Sequence, residues 1–482
     1  MLRGIFMLMR KYPFRFIFGV VLVAILVIIF FSYSQIFGNK GIFSSFSKDD
    51  DYYYYLEMLN SVYNLIKDGY VDGDKVDAKK LFHGAIKGML ESLNDPHTAF
   101  LSEDDFKELT VETSGKFGGL GIHISSKDGY IYIISPIEDT PAFREGLKPG
   151  DYIISINGET TKGMSVEKAV KLLRGTPGTR VTITIKRNDE IFEKTLTREI
   201  INIPTIRWGW VSEEKGIAFI RILQFSGTTY DSFVNAIDKI KKSDTQLKSL
   251  ILDLRYNPGG LLDEVLKILD VMVPEGLLLE TRGRIMGSDQ RTYASGKKPI
   301  IPLNIPIVVL INEGSASASE ILAGVLQDTH RAVVVGTKSF GKGSVQTIRQ
   351  LPDGSGLRIT IARYYLPSGK TPDKEGIVPD VVVETTKITK ELEEKISIIE
   401  REGYIKEYMK NKSEVTEQDI QNISKLLQEK GIKLDKKVIK ILANREVPRI
   451  QVFDPDDEYV QKAIEVLEDY KKYSKPLVFY KK

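Results

Sequence analysis

Four short, largely apolar runs alternate with amphipathic segments between Ile217 and Val383, and this pattern constrains the fold more than any other feature. The runs are Ile217–Ile222, Leu250–Arg255, Ile305–Ile311 and Ala332–Gly336. Near-continuous apolar character suits strands buried on both faces. Between them, Asp231–Lys241, Leu262–Val273 and Ser317–Gln327 read as helices. Strand–helix alternation implies βαβ units with right-handed crossovers, hence a parallel sheet. Sites in such sheets lie beyond the carboxyl ends of the strands. Asp353-Gly354, between strand-like residues, marks a hairpin.

The stretch from Gly314 to Gln346 carries the chemistry. Ser315, Ser317 and Ser319 stand at the start of a helix, Lys342 lies between two glycines, and Gln346 follows closely. A hydroxyl needs a neighbouring base to become a nucleophile. A lysine serves only if burial lowers its pKa from about 10.4 towards the working pH, at a cost of about 3–4 kcal/mol. Amides at a helix start provide a place for an oxyanion. On chemistry alone the three serines remain open choices. A serine-rich cap with Glu320 in register with Ser317 also satisfies a helix start without catalysis. A Ser-His-Asp triad is the rival, drawing on His330 with Asp328 or Asp253. It is disfavoured because His330 follows the helix whose start holds the serines. No HExxH or clustered ligand set occurs, so neither a metal nor a cofactor is expected.

Upstream, Phe117-Gly-Gly-Leu-Gly-Ile122 precedes a strand, followed by Thr140-Pro141-Ala142, Leu147-Lys-Pro-Gly-Asp151 and Ile156-Asn-Gly158. Ser165 then opens a helix with apolar residues at 166, 169, 170 and 173, ended by Gly175. These residues, over roughly 104–190, resemble a PDZ domain of the circularly permuted kind found in bacterial proteases. The resemblance implies that the amides of Gly119, Leu120, Gly121 and Ile122 receive a peptide's terminal carboxylate. The peptide then adds as a strand beside the helix. The glycines alone already allow amides to converge on an anion. His123 reads as a structural histidine in the strand.

Ser317, Lys342 and Gln346 match the carboxyl-terminal processing (tail-specific) peptidases. The resemblance covers nearly the whole ordered chain and implies a multidomain α/β protein with a crotonase-like protease core. It places the nucleophile at the middle serine, Ser317, with Lys342 as general base and Gln346 orienting the lysine amine. It puts the oxyanion hole at the amide of Ala318 and that of Gly259 or Gly260, which the sequence does not separate. Arg174 becomes a candidate link through which PDZ position gates the active site. Asp95-Pro96-His97, also shared with the family, is expected to be structural. The implied activity is endoproteolysis near free, unstructured, apolar C-termini of extracytoplasmic proteins. Two other readings are a catalytically silent PDZ scaffold and an apolar-ligand binding protein on the same core.

The expected organisation is a basic cytoplasmic segment (1–15), a transmembrane anchor (16–33), a helical N-terminal region (50–103), the PDZ domain (104–190), the protease core (200–385) and a helical C-terminal region (386–482). Arg3, Arg10, Lys11 and Arg15 precede the uncharged run Phe16–Tyr33, about 27 Å long as a helix and close to a bilayer core. The positive flank predicts a cytoplasmic N-terminus and an extracytoplasmic catalytic part in a single-pass membrane protein. Ser32-Tyr33-Ser34 makes a poor cleavage site, which favours an uncleaved anchor over a secreted form. Residues 52–93 read as helical, with apolar spacing at Leu56, Leu59, Tyr63 and Leu65–Ile66. Thr416 and Asp454 read as helix caps near the C-terminus. The two helical ends resemble the family's dimerisation regions, so a homodimer is expected. A net charge of +3 from 68 basic and 65 acidic side chains argues against a nucleic-acid partner. The chain has no cysteine, which excludes disulfides and thiolate metal sites.

Overall fold

The structure is a computed structural model that describes residues 50–284, 287–384, 390–410, 412, 415–446, 452–454 and 457–481. The chain divides into two compact units, 1–92 and 93–482.

In the first unit the helical stretch breaks in two, Asp50–Gly69 and Ala78–Glu91. Asp77 starts the second helix by accepting the Lys80 amide, as a short acceptor at a helix start should. Tyr63 and Phe82 bring their rings together, 5.2 Å between centroids. The expected anchor, 16–33, lies outside the described residues. Among the described residues no helix is long and apolar enough to cross a membrane. Asp50–Gly69 has the length but carries Asp51, Glu57, Lys67 and Asp68. The single-pass localisation expected from the sequence is therefore corrected and is not carried further.

In the second unit β1 (Ala99–Leu101) and the helix Glu103–Ser114 precede the PDZ-like region. That region contains β2 (Lys116–Gly119), β3 (Ile122–Lys127), β4 (Tyr130–Pro136), β5 (Tyr152–Ile156), β6 (Glu159–Thr160), β7 (Arg180–Arg187), β8 (Glu190–Thr197) and β9 (Glu199–Asn202). Its sheet runs β3-β4-β5-β7-β8, with β6 on β5, while β2 pairs with β9. The helices Pro141–Arg144 and Val166–Leu173 complete it, the latter packed on β3. Ile131 with Ile133 and Ile183 with Ile185 point inward at a period of two, and Ile153 and Ile156, three apart, both do so because the register of β5 shifts between Ile153 and Ser155.

The α/β region is built on a six-stranded sheet, β10 (Ile206–Ser212), β11 (Ile217–Ile222), β12 (Ser249–Asp253), β15 (Ile307–Ile311), β16 (Val333–Gly336) and β19 (Val381–Val382), in that spatial order. All neighbours are parallel except β10, which runs antiparallel to β11. A second, antiparallel sheet joins β1, β13 (Leu277–Gly283), β14 (Gln290–Tyr293), β17 (Ser344–Gln350) and β18 (Gly356–Tyr365). The β17–β18 hairpin turns at Asp353-Gly354.

The parallel strands are largely apolar because both faces are covered. One face, with Ala218, Ile220, Leu250, Leu252, Val309 and Val334, meets the helices Thr229–Lys242, Leu262–Asp270 and Ala318–Asp328. The other, with Phe219, Ile251, Val308, Leu310 and Val335, is closed by Val460, Ala463 and Val466 of the helix Glu458–Glu468. Each such side chain contributes about 1.5–3 kcal/mol on burial. The C-terminal region thus splits. The helices from 390 to 446 form their own cluster around Ile405, Met409, Ile423 and Leu427, while the last helices belong to the core. Thr416 caps its helix with a capping box, whereas the later helix starts at Asp457 rather than at Asp454.

Asp457 also ties that helix to the carboxyl end of β12. Arg255 donates to Asp457 Oδ2 at 2.7 Å and to Asp253 at 2.9 Å through both Nε and Nη2. Burial disfavours the guanidinium charge, but the two carboxylates outweigh it and hold the arginine above its ordinary pKa. Removing one partner of such a buried cluster leaves an uncompensated charge. Arg255→Leu is expected to lower the unfolding free energy by about 3–5 kcal/mol, read from urea denaturation. A change under about 1 kcal/mol would mean that solvent reaches and compensates the carboxylates left behind.

Candidate active site

The turn from β15 into the helix Ala318–Asp328 is fixed by its own polar side chains. Asn312 Oδ1 accepts from the amides of Tyr256, 2.9 Å, and Gly314, 3.1 Å. Ser315 Oγ donates to the Leu254 carbonyl, and Ser319 Oγ to the Asn257 carbonyl, each at 2.9 Å. Both serines are fully buried. Ser317 is half-buried and is held at φ 54°. A non-glycine residue in that region costs roughly 1–3 kcal/mol and persists only when its surroundings impose it. Of the three serines, this one is partly exposed on a strained elbow while its neighbours are buried and bonded to backbone carbonyls.

Lys342 sits on the Gly341–Gly343 loop, half-buried. Burial lowers its pKa, and the Arg358 cation adds to this, while Asp95 and Glu320 pull the other way. The Ser317 elbow and the lysine loop meet on Glu320. This fully buried carboxylate accepts the amides of Ser317 and Lys342 on Oε2, each at 2.8 Å, and the Gly341 amide and Ser339 Oγ on Oε1, at 2.7 and 2.6 Å. Ser339 Oγ itself accepts from Ile377 N, so its proton goes to Glu320. Burial pushes the Glu320 carboxyl up and the four donors oppose it, leaving it above its ordinary value. In the sequence Glu320 registered only as part of a helix cap. Its second task was hidden because Ser339, Gly341 and Lys342 lie a whole βα unit away.

Gln346 donates to Ser344 Oγ at 2.9 Å and to Thr360 Oγ1 at 3.4 Å, so the structure brings its amide to β18 and not to the lysine amine. The turn 95–98 lies against the same strand. Thr98 Oγ1 accepts the Thr360 amide and donates to Asp95, and Arg358 Nε donates to the His97 carbonyl at 2.9 Å. The His97 imidazole is held below its ordinary pKa by burial and then by the charge of Lys342. The charge of Lys342 thus acts on His97, and that of Asp95 on Lys342, which their spacing in the sequence did not reveal.

For an oxyanion, Ala318 supplies the first amide of its helix, which has no carbonyl one turn earlier to bond. The Gly259 amide is engaged by Asn257 Oδ1 at 2.9 Å. The Gly259 carbonyl and Leu261 amide both bond Phe225, so the Gly260 amide between them faces the opposite way. A Cβ on Gly260 would lie 2.0 Å from the Phe225 carbonyl oxygen, so the close approach needs glycine.

In the PDZ-like region Leu120 and Gly121 are buried, and a Cβ on Gly121 would strike Thr140 at 2.4 Å. The Arg174 guanidinium lies 4.5 Å from the Phe117 ring, and that ring borders Gly119. The structure thus sets Arg174 against the Gly119–Ile122 loop. The rival triad does not assemble. His330 Nδ1 bonds the Pro476 carbonyl, and Asp253 is held by Arg255. Among the described residues no group of His, Asp and Glu is placed to hold a metal.

Comparison with known proteins gives three family matches. Residues 216–383 match peptidase family S41, 108–186 match the PDZ domain, and 32–105 match the N-terminal domain of the activating protease CtpB. A carboxy-terminal-processing protease of Bartonella bacilliformis is 40% identical over 342 residues, 70% of this chain and 77% of that protein. The carboxy-terminal processing protease CtpA of Bacillus subtilis is 36% identical over 354 residues, 73% and 72% respectively. A solved photosystem II D1 C-terminal processing protease aligns at 28% identity with a TM-score of 0.40, covering 68% of this chain and 92% of that one.

Glu320→Gln keeps the volume but replaces one acceptor oxygen by a donor, against four donors. The expected outcome is a fall in kcat of roughly tenfold or more through loss of alignment, with cooperative thermal unfolding retained. Undiminished kcat would show that the loop holds its position without the carboxylate.

Proposed function

This chain belongs to the carboxy-terminal-processing proteases of peptidase family S41, and on that footing we propose that it cleaves proteins near their C-termini with Ser317 as nucleophile and Lys342 as general base. It is a serine-type endopeptidase. The observation that carries the residue assignment is Glu320, which accepts the amides of both Ser317 and Lys342 on one oxygen.

In the proposed reaction the uncharged Lys342 amine takes the Ser317 Oγ proton as that oxygen attacks the scissile carbonyl. The new oxyanion receives the Ala318 and Gly260 amides; Gly259 is the weaker choice because Asn257 engages its amide. Lysine then passes its proton to the leaving amine, and water hydrolyses the acyl-enzyme. Gln346, on Ser344 and Thr360, steadies the strand after Lys342, so its loss should cost less than loss of the lysine. Bound peptide would deepen the burial that already lowers the lysine pKa.

The Gly119–Ile122 loop is proposed to take the substrate's terminal carboxylate, the tail adding along β3 beside the helix Val166–Leu173. The position of Arg174 at Phe117 and Gly119 supports a part for it in sensing that carboxylate. Unchanged dependence on substrate length in Arg174→Ala would remove that part. A homodimer is supported by the apolar surface that Leu56, Met58, Leu59 and Val62 leave exposed on the helix Asp50–Gly69, and sedimentation of the full chain decides it.

With casein as an unfolded substrate, Ser317→Ala and Lys342→Ala should each lose at least about 10³-fold in rate. Cleavage surviving either change would sink the assignment. The pH profile tests the base itself. Activity needs neutral lysine, so it rises with pH through the lysine pKa. Arg358→Gln removes a cation that lowers this pKa, so the acidic limb of kcat/KM should move to higher pH; an unmoved limb would mean that another group controls it.

A further inference from the structure

Tyr364 is almost fully buried, at 1% exposure, within the apolar cluster beneath the parallel sheet. A phenylalanine would fill the same space. A buried hydroxyl is tolerated only with a partner, and here the partners are specific. The Tyr364 hydroxyl lies 2.6 Å from the Lys342 carbonyl oxygen and 3.3 Å from the Ser317 carbonyl oxygen. The Tyr364 amide also donates to the Gly343 carbonyl at 3.0 Å. Burial raises the phenol pKa well above its ordinary value, so the hydroxyl remains a donor at any working pH.

We infer that the Tyr364 hydroxyl is a positioning group that sets the spacing of Ser317 and Lys342, giving its one proton mainly to the Lys342 carbonyl at 2.6 Å and sharing it weakly with the Ser317 carbonyl at 3.3 Å. This rests on the serine–lysine reading given above. Glu320 grips the same two residues by their amides, so Lys342 is held at its N–H by a carboxylate and at its C=O by the phenol, whose oxygen also packs against the Ser317 carbonyl. The two grips come from different elements, the helix Ala318–Asp328 and strand β18. Losing either lets the elbow and the lysine loop slide relative to each other. Misplacement of reacting groups by about 1 Å can cost 10²-fold in rate, without altering the surface that binds substrate.

The test uses full-length Tyr364→Phe beside wild type, Ser317→Ala, Glu320→Gln and the Glu320→Gln/Tyr364→Phe double variant. Peptide cleavage gives kcat and KM, and a fluorophosphonate serine probe gives the rate of attack on an electrophile. Rates are normalised to folded protein by near-UV circular dichroism. The expected result is a kcat roughly tenfold lower or more, with KM within about twofold and probe labelling slowed in parallel. The double variant should lose less than the product of the single losses, because both groups hold one spacing. A kcat within about twofold of wild type would overturn the proposal. So would a loss carried by KM, full multiplicativity in the double variant, or a Tyr364→Phe chain that does not fold, which would make the hydroxyl a fold-stabilising group. Cleavage by Ser317→Ala would bring down the serine–lysine reading and this inference with it. An inactive Ser317→Ala beside an unaffected Tyr364→Phe would sink the tyrosine alone.

Discussion

A carboxylate with no exposed surface stands at the junction of the two segments that must cooperate. Glu320 lies in the first turn of the helix Ala318–Asp328, where the helix dipole favours a negative charge. Four donors converge on it, from Ser317, Ser339, Gly341 and Lys342. Its desolvation is compensated by those bonds, and the bonds exist only while the elbow and the loop are together. The geometry around Ser317 and Lys342 depends on this contact. The elbow can be strained because the carboxylate, Asn312 and the buried Ser315 and Ser319 over-determine it.

The parallel sheet provides the rigidity that such a junction needs. Because both faces are close-packed against helices, its strands cannot slip without breaking that packing on each side. The strand ends then become fixed points. β12 leads into Asn257 and the Gly259–Gly260 turn, β15 into the Ser317 elbow, and β16 towards the lysine loop. Arg255 binds the end of β12 to Asp457 on the helix that covers the far face. The C-terminal helix is thereby part of the scaffold under the Asn257–Gly260 turn. It is not an appendage.

The PDZ-like region is joined to this scaffold through backbone bonds near its entry. Thr113 and Gly115 carbonyls accept the Gly227 and Ile203 amides, each at 2.8 Å, and Glu112 accepts the Gln224 side chain. Gly227 and Gln224 flank Phe225, whose carbonyl and amide pair with the Gly259–Leu261 turn. A short covalent and hydrogen-bonded path therefore runs from the base of the PDZ-like region to the Gly259–Leu261 turn.

Much of this was legible in the chain because it is written in local periodicity. The four apolar runs and their helices fall where the strands β11, β12, β15 and β16 and their crossovers lie, within a few residues at the ends. The glycine spacing of Gly118–Gly121, the Asp353-Gly354 hairpin and the Thr416 cap are likewise local matters of backbone conformation. The helix Glu458–Glu468 shows its apolar stripe in sequence, but a stripe does not name its partner, and packing on the sheet decided that. The engagement of Ser315 and Ser319, the removal of the Gly259 amide by Asn257, and the approach of Asp95 and Arg358 to Lys342 were settled only in three dimensions. The convergence of Glu320 and Tyr364 on one pair of residues belongs with them. Sequence pattern reports which face of an element is apolar, because that repeats along the chain; polar bonds between distant elements have no period, and only the folded chain selects them.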